Sequence, residues 1–132
     1  MKVWIDGQIV DGPEAVVPVT DHGFLYGDGV FEGLRSYGRR IFRLQDHLRR
    51  FECSARAIGL DLPTDLGGLE KIVLETARAK ASDTSDTSET SGDFYLRLIA
   101  TRGVGSLGVD PTTCATPRLL CIAAEVALFS RR

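Results

Sequence analysis

The sequence predicts an α+β fold: an antiparallel β-sheet meander with two helices packed on it. Short runs of strand-forming residues, bounded by glycine-containing turns, recur at 2–10, 30–42, 94–101 and 118–126. Between them, 44–58 and 65–80 carry apolar residues at spacings of three and four, the period of a one-sided helix. At 132 residues, 43% apolar and 26% charged, the chain suits a single domain with a real core.

The elements follow in order. Val3, Trp4 and Ile5 are strand formers, Asp6-Gly7 favours a type I′ turn, and Gln8-Ile9-Val10 returns as a hairpin. Asp11-Gly12-Pro13 is a second turn, and Ala15 to Val19 reads as another extended piece. Val30 to Tyr37 contains a strand, Gly38-Arg39 turns it, and Arg40-Ile41-Phe42 comes back. In the first helix Leu44, Leu48, Phe51, Ala55 and Ile58 make one apolar stripe, ended by Gly59, with Arg50 next to the stripe. Thr64 caps the second helix, with Leu66, Leu69, Val73 and Ala77 inward. Residues 81–92 are a Ser/Thr/Asp tract too polar to bury, read as a flexible surface loop. Phe94 to Thr101 is a strand with Tyr95 and Arg97 on one face. Arg102 to Pro111, with Gly103, Gly105 and Gly108, is a glycine-rich loop, and Arg118 to Val126 is the final strand.

Composition narrows the function. A net charge of −2 and a pI near 5.7 argue against a nucleic-acid partner. No apolar run approaches the ~20 residues that span a bilayer. Cys53, Cys114 and Cys121 are odd in number and lack CxxC spacing, the pattern of reduced thiols in a cytoplasmic protein. Cys53 and Cys121 are both expected in the core. There is no GxSxG nucleophile motif, and neither His22 nor His47 has a spacing that nominates a partner, so both read as structural. No cluster has metal-ligand spacing. Gly27-Asp28-Gly29 lacks the third glycine of a dinucleotide fingerprint.

What stands out is the stretch Thr20 to Tyr37. Gly23, Gly27, Gly29 and Gly33 lie there among Phe24, Tyr26, Phe31 and Arg35, a composition suited to close backbone approach by a ligand or another chain. Arg35, Arg50 and Arg97, with Tyr26 and Tyr95 beside them, are anion-binding candidates, because guanidinium is a planar fork that matches carboxylate and phosphate. A domain that binds a small anionic ligand, and an interaction domain whose glycine loops meet a second chain, both fit.

Asp21-His22-Gly23-Phe24-Leu25-Tyr26-Gly27-Asp28-Gly29-Val30-Phe31-Glu32-Gly33-Leu34-Arg35 closely resembles the N-terminal segment of class IV (fold type IV) pyridoxal-phosphate enzymes, above all branched-chain amino acid aminotransferases. Phe42-Arg43-Leu44, His47-Leu48-Arg49-Arg50-Phe51 and Ser54-Ala55 resemble the helix with the cofactor-phosphate arginine. Tyr95-Leu96-Arg97, Gly103-Val104-Gly105 and Gly108-Val109-Asp110-Pro111 resemble the substrate-side strand and loop.

The resemblance implies the small N-terminal domain of a homodimeric enzyme that carries pyridoxal 5'-phosphate. That enzyme moves the amino group between branched-chain L-amino acids and 2-oxoglutarate or branched-chain 2-oxo acids. It implies that Arg50 binds the cofactor phosphate and that Phe31, Gly33, Tyr95 and Arg97 line the substrate pocket, with Arg35 behind. Tyr26 and the Gly108-Val109 loop would reach into the neighbouring subunit's site. A D-amino-acid aminotransferase or an aminodeoxychorismate lyase of the same class shares most of these motifs. The family's catalytic lysine, which forms a Schiff base with the cofactor, belongs to a C-terminal domain. Lys2, Lys71 and Lys80 match no such motif. The chain alone is therefore expected to be inactive and to pair with a second copy or a C-terminal domain. A domain serving only binding or assembly is the non-enzyme alternative.

Overall fold

Strands β5 (Phe94–Thr101) and β6 (Arg118–Glu125) form the middle of the fold. β5 pairs antiparallel with β6 from Phe94↔Glu125 to Thr101↔Arg118, and on its other side with β3 (Gly29–Tyr37) from Gly29↔Thr101 to Ser36↔Phe94. The hairpin of β1 (Lys2–Ile5) and β2 (Gln8–Asp11) extends the sheet beyond β6, and the two-residue β4 (Arg40–Ile41) extends it beyond β3. The computed structural model describes residues 1–83 and 92–126. Within these residues the sheet has the order β2-β1-β6-β5-β3-β4. The antiparallel sheet and two long helices agree with the sequence expectation. The strands interleave, so the N-terminal hairpin and the β3–β4 hairpin stand at opposite edges.

Two helices cover one face: α2 (Leu44–Ala57) and α3 (Leu66–Ala81). A short helix, α1 (His22–Tyr26), precedes β3. Alternation along the strands sorts the side chains by face. Leu34, Leu96, Leu98 and Ala100 point to the helices and meet Leu48, Phe51, Leu69 and Val73, all at most 1% exposed. Val3, Ile5 and Leu120 make a second cluster, with Ile99 and Ile122, on the face opposite α2 and α3. Register places Phe31, Gly33, Arg35, Tyr95 and Arg97 on that same face.

Several ends differ from expectation. α2 closes on Gly59 (φ +63°): Gly59 N–H donates to Arg56 O at 3.0 Å and Leu60 N–H to Ala55 O at 2.9 Å, a Schellman motif. That turn buries Leu60 and leaves Ile58, expected on the inward stripe, 41% exposed. Asp65, not Thr64, caps α3, because its carboxylate accepts from Gly68 N–H at 2.9 Å. Cys53, expected in the core, is exposed on α2, whereas Cys121 is buried. Ala15 to Val19 forms no strand; Gly12–Glu14 is a 3-10 turn and Ala15 packs on the second cluster. α3 continues through Ala81, and most of the expected loop, 84–91, lies outside the described residues. No helix among the described residues is long and apolar enough to cross a membrane.

Candidate functional site at the open edge of β3

β4 pairs with β3 only at Ser36 and Tyr37. From Gly29 to Leu34 the outer edge of β3 has no strand partner among the described residues. Side chains from both faces of the sheet flank this edge.

On the face opposite α2 and α3, Phe31, Arg97 and Tyr95 form a stack. The Arg97 guanidinium carbon is 5.0 Å from the Phe31 ring centroid and 5.5 Å from the Tyr95 ring centroid. Arg97 also donates to the Tyr95 hydroxyl, from Nε at 3.2 Å and Nη2 at 3.1 Å. Gly33 makes room for this: a Cβ there would stand 2.6 Å from the Tyr95 hydroxyl oxygen. Arg35 lies one rung along, opposite Tyr95 in the ladder, with its guanidinium 4.9 Å from the Tyr37 ring centroid. Its Nε is buried without a hydrogen-bond partner among the described residues. A cleft of about 340 Å³ runs from Phe31 and Arg97 to Gly27 and Gly23 of α1.

On the helix face, Glu32 is 5% exposed and faces α2. Its carboxylate accepts from Arg50 Nε at 2.6 Å and Nη2 at 2.8 Å, and His47 Nδ1 is 2.9 Å from Oε2. His47 and Arg50 reach it together because positions three apart share one helix face. The Arg50 hydrogen bonds hold the Glu32 carboxyl below its ordinary value, with His47 adding to the effect. The same pair raises Arg50. Among the described residues, no other partner takes the remaining N–H groups of Arg50. Its side chain is 68% exposed beside a cleft of about 320 Å³ shared with Phe42, Arg43 and Asp46.

Tyr26, Gly108 and Val109 line neither cleft, although Gly23 and Gly27 on either side of Tyr26 line the one with Phe31 and Arg97. They lie on exposed segments at the end of the sheet: Tyr26 on α1, and the other two on the 103–109 loop beside Leu107. Asp21 anchors this region while fully buried. It caps α1 through Gly23 N–H at 2.8 Å, accepts from the Thr101 hydroxyl at 2.9 Å, and lies 3.3 Å from Arg118 Nε. Arg102 binds both oxygens of Asp28 (3.0 and 2.9 Å) and the Ile58 and Gly59 carbonyls (2.8 and 2.9 Å). The Gly27–Gly29 loop is thereby tied to the C-terminus of α2.

From the first residue of β3 onward, residues 29–129 match the family described as Amino-transferase class IV. The chain belongs to the class IV aminotransferase family. It is 43% identical to a protein of Methanocaldococcus jannaschii named as a putative branched-chain-amino-acid aminotransferase, over 93% of this chain and 40% of that protein. It is 33% identical to a D-alanine aminotransferase of Staphylococcus epidermidis, over 77% of this chain and 33% of that one. Among solved structures, the branched-chain aminotransferase of the thermophilic archaeon Thermoproteus uzoniensis with norvaline superposes with a TM-score of 0.79 at 36% identity. That match takes in 96% of this chain and 41% of the other. This class IV aminotransferase chain thus spans about 40% of the length of the branched-chain relatives it matches.

The sequence nominated Phe31, Gly33, Tyr95 and Arg97, and the fold brings them together, with Arg35 adjacent. It did not nominate Glu32, and it read His47 as structural. His47 and Arg50 share Glu32 as a partner only because β3 turns Glu32 toward α2. A polar residue alternating with Leu34 and Ser36 on the buried side of a strand was the one signal available.

Proposed function

We propose that this chain forms one wall of the active site of a cytoplasmic aminotransferase. The enzyme depends on pyridoxal 5'-phosphate and exchanges amino groups between branched-chain L-amino acids and 2-oxoglutarate. The observation that carries the reading is the Phe31–Arg97–Tyr95 stack over Gly33, with Arg50 held by Glu32 on the other side of the same strand edge. Pyridoxal phosphate, when bound, supplies an aldehyde and an electron-withdrawing ring for amino-group exchange. Arg50 is the group for its phosphate. Its guanidinium is fixed on one side by Glu32, and its remaining N–H groups are open to an anion. Arg97 offers charge for the substrate carboxylate, and Phe31 offers apolar surface for a branched side chain. Arg35 supports the wall beside Tyr95.

In this reading two copies associate, and Tyr26, Gly108 and Val109 of one complete the pocket of the other. Their exposure, 74% for Val109 and 41% for Tyr26, suits surfaces that a partner covers. The lysine that attaches the cofactor comes from a further domain. Lys2 is paired with Asp11 on the β1–β2 hairpin, and Lys71 and Lys80 sit on α3, each away from the wall.

The test is to assay the chain alone and the chain co-expressed with the C-terminal domain of a class IV aminotransferase. Substrates are L-leucine, L-isoleucine, L-valine, D-alanine and aminodeoxychorismate. Activity only in the pair, with preference for the branched L-amino acids, is the expected result. Turnover by the chain alone would refute the need for an outside lysine, and preference for D-alanine or the chorismate derivative would refute the substrate class. Within the pair, Arg50→Ala should weaken cofactor retention about tenfold or more, the loss of a charge-assisted hydrogen bond. Arg97→Ala should raise the KM for amino and oxo acids while leaving cofactor affinity unchanged.

A further inference from the structure

We propose that His22 is a positioning residue for substrate selection. It locks Tyr26 and the 103–109 loop into one unit through a partly buried hydrogen bond to the Ser106 carbonyl. The proposal rests on the reading above, in which Tyr26 and Val109 belong to a substrate pocket.

His22 is fully buried at the first position of α1. Its Nε2 lies 2.7 Å from the Ser106 carbonyl oxygen. A carbonyl only accepts, so Nε2 carries the proton and donates. Nδ1 is buried with no partner among the described residues, so the ring makes one polar contact, and it is to the loop. The His22 backbone also belongs to the unit: its N–H donates to Gly103 O at 2.9 Å, and its carbonyl accepts from Asp28 N–H at 3.2 Å. On the other side the imidazole packs against the Tyr26 ring, centroids 5.0 Å apart and planes at 81°. One ring therefore touches both elements.

The loop is shaped to receive it. A Cβ on Gly105 would sit 2.6 Å from His22 Nε2, so only glycine lets the chain pass this close. Gly105 N–H donates to Thr20 O at 3.2 Å, and Val104 bridges Asp21. Beyond the anchor, Ser106 N–H donates to the Thr113 hydroxyl at 3.1 Å. Leu107 and Val109 then stand 73% and 74% exposed. Side chains this exposed have little packing of their own, so their placement depends on the anchored base of the loop.

Two substitutions separate the bond from the shape. Gln places its amide nitrogen about where His places Nε2, whereas Phe keeps the ring against Tyr26 and removes the donor. In His22→Phe, amide exchange at Gly105 and Ser106 should speed about tenfold, the loss of one hydrogen bond. His22→Gln should restore most of the protection. In the co-expressed enzyme, His22→Phe should raise the KM for leucine and valine with kcat nearly unchanged, and His22→Gln should reverse that. Unchanged exchange across 103–109 in His22→Phe would overturn the proposal. So would an unchanged KM in a His22→Phe enzyme whose Val109→Ala counterpart shows a raised KM. If Val109→Ala also leaves KM unmoved, the pocket reading of the loop is wrong and the positioning role falls with it, while the exchange data still report whether the anchor exists.

Discussion

Arg50 closes a two-point hydrogen-bonded pair on Glu32, 2.6 Å from Nε and 2.8 Å from Nη2, although the two residues lie 18 positions apart on different elements. The pair lowers the Glu32 carboxyl from its ordinary value of 4.5. A lowered carboxylate stabilises the fold fully above the unfolded value, and that contribution is lost as pH falls through the folded one. Thermal unfolding of the wild-type chain and of Glu32→Gln should therefore differ most near neutral pH, and the difference should shrink below pH 4.5. A gap that stays constant down to strongly acidic pH would mean the charge pair contributes nothing.

Gly33 tests the wall. Gly33→Ala puts a Cβ 2.6 Å from the Tyr95 hydroxyl, and the ring must swing away and release Arg97. The stability cost should stay near ~1 kcal/mol, because the far end of a side chain gives way more easily than backbone. The KM for amino acids in the co-expressed enzyme should nevertheless rise. Adding Tyr95→Phe removes the clashing oxygen. The double variant should regain the stability and keep the raised KM, since Arg97 still lacks its acceptor. Full kinetic recovery would show that the Arg97–Tyr95 bond is dispensable.

Arg102 is the structural counterpart of the proposed site arginines. Its side chain is 14% exposed and satisfies Asp28 and two carbonyls at the end of α2. Arg102→Ala should cost about 2 kcal/mol in urea unfolding, and Arg102→Lys should recover only part, because an ammonium does not reproduce the fork. Equal stability of the lysine variant and wild type would reduce the interaction to simple charge.

The thiols divide by environment. Burial pushes the Cys121 thiol up to about 12, so at pH 8 it is protonated and shielded. Cys53 is exposed on α2. A maleimide at pH 8 should modify Cys53 rapidly and Cys121 only after denaturant is added, as peptide mass mapping will show. Rapid labelling of Cys121 in the folded chain would contradict its place under α3.

Much was legible in the sequence because it is written in local periods. The alternation at 94–101 and the three-and-four spacing at 44–57 fix which side of each element is apolar, and with it the shared face of Tyr95 and Arg97. Asp6-Gly7 and Gly59 mark turns through conformations few other residues adopt. Tertiary structure decided whatever depends on what lies opposite. Cys53 and Cys121 are both expected in the core, yet only Cys121, in a central strand covered by α3, is buried. Glu32 is an acidic residue in a strand until α2 places Arg50 and His47 over it. The interleaved strand order, which sets β3 near an edge and leaves Gly29 to Leu34 without a strand partner among the described residues, follows from long-range pairing of β5 and β6 between two hairpins. No local period encodes that pairing, and the position of the candidate site depends on it.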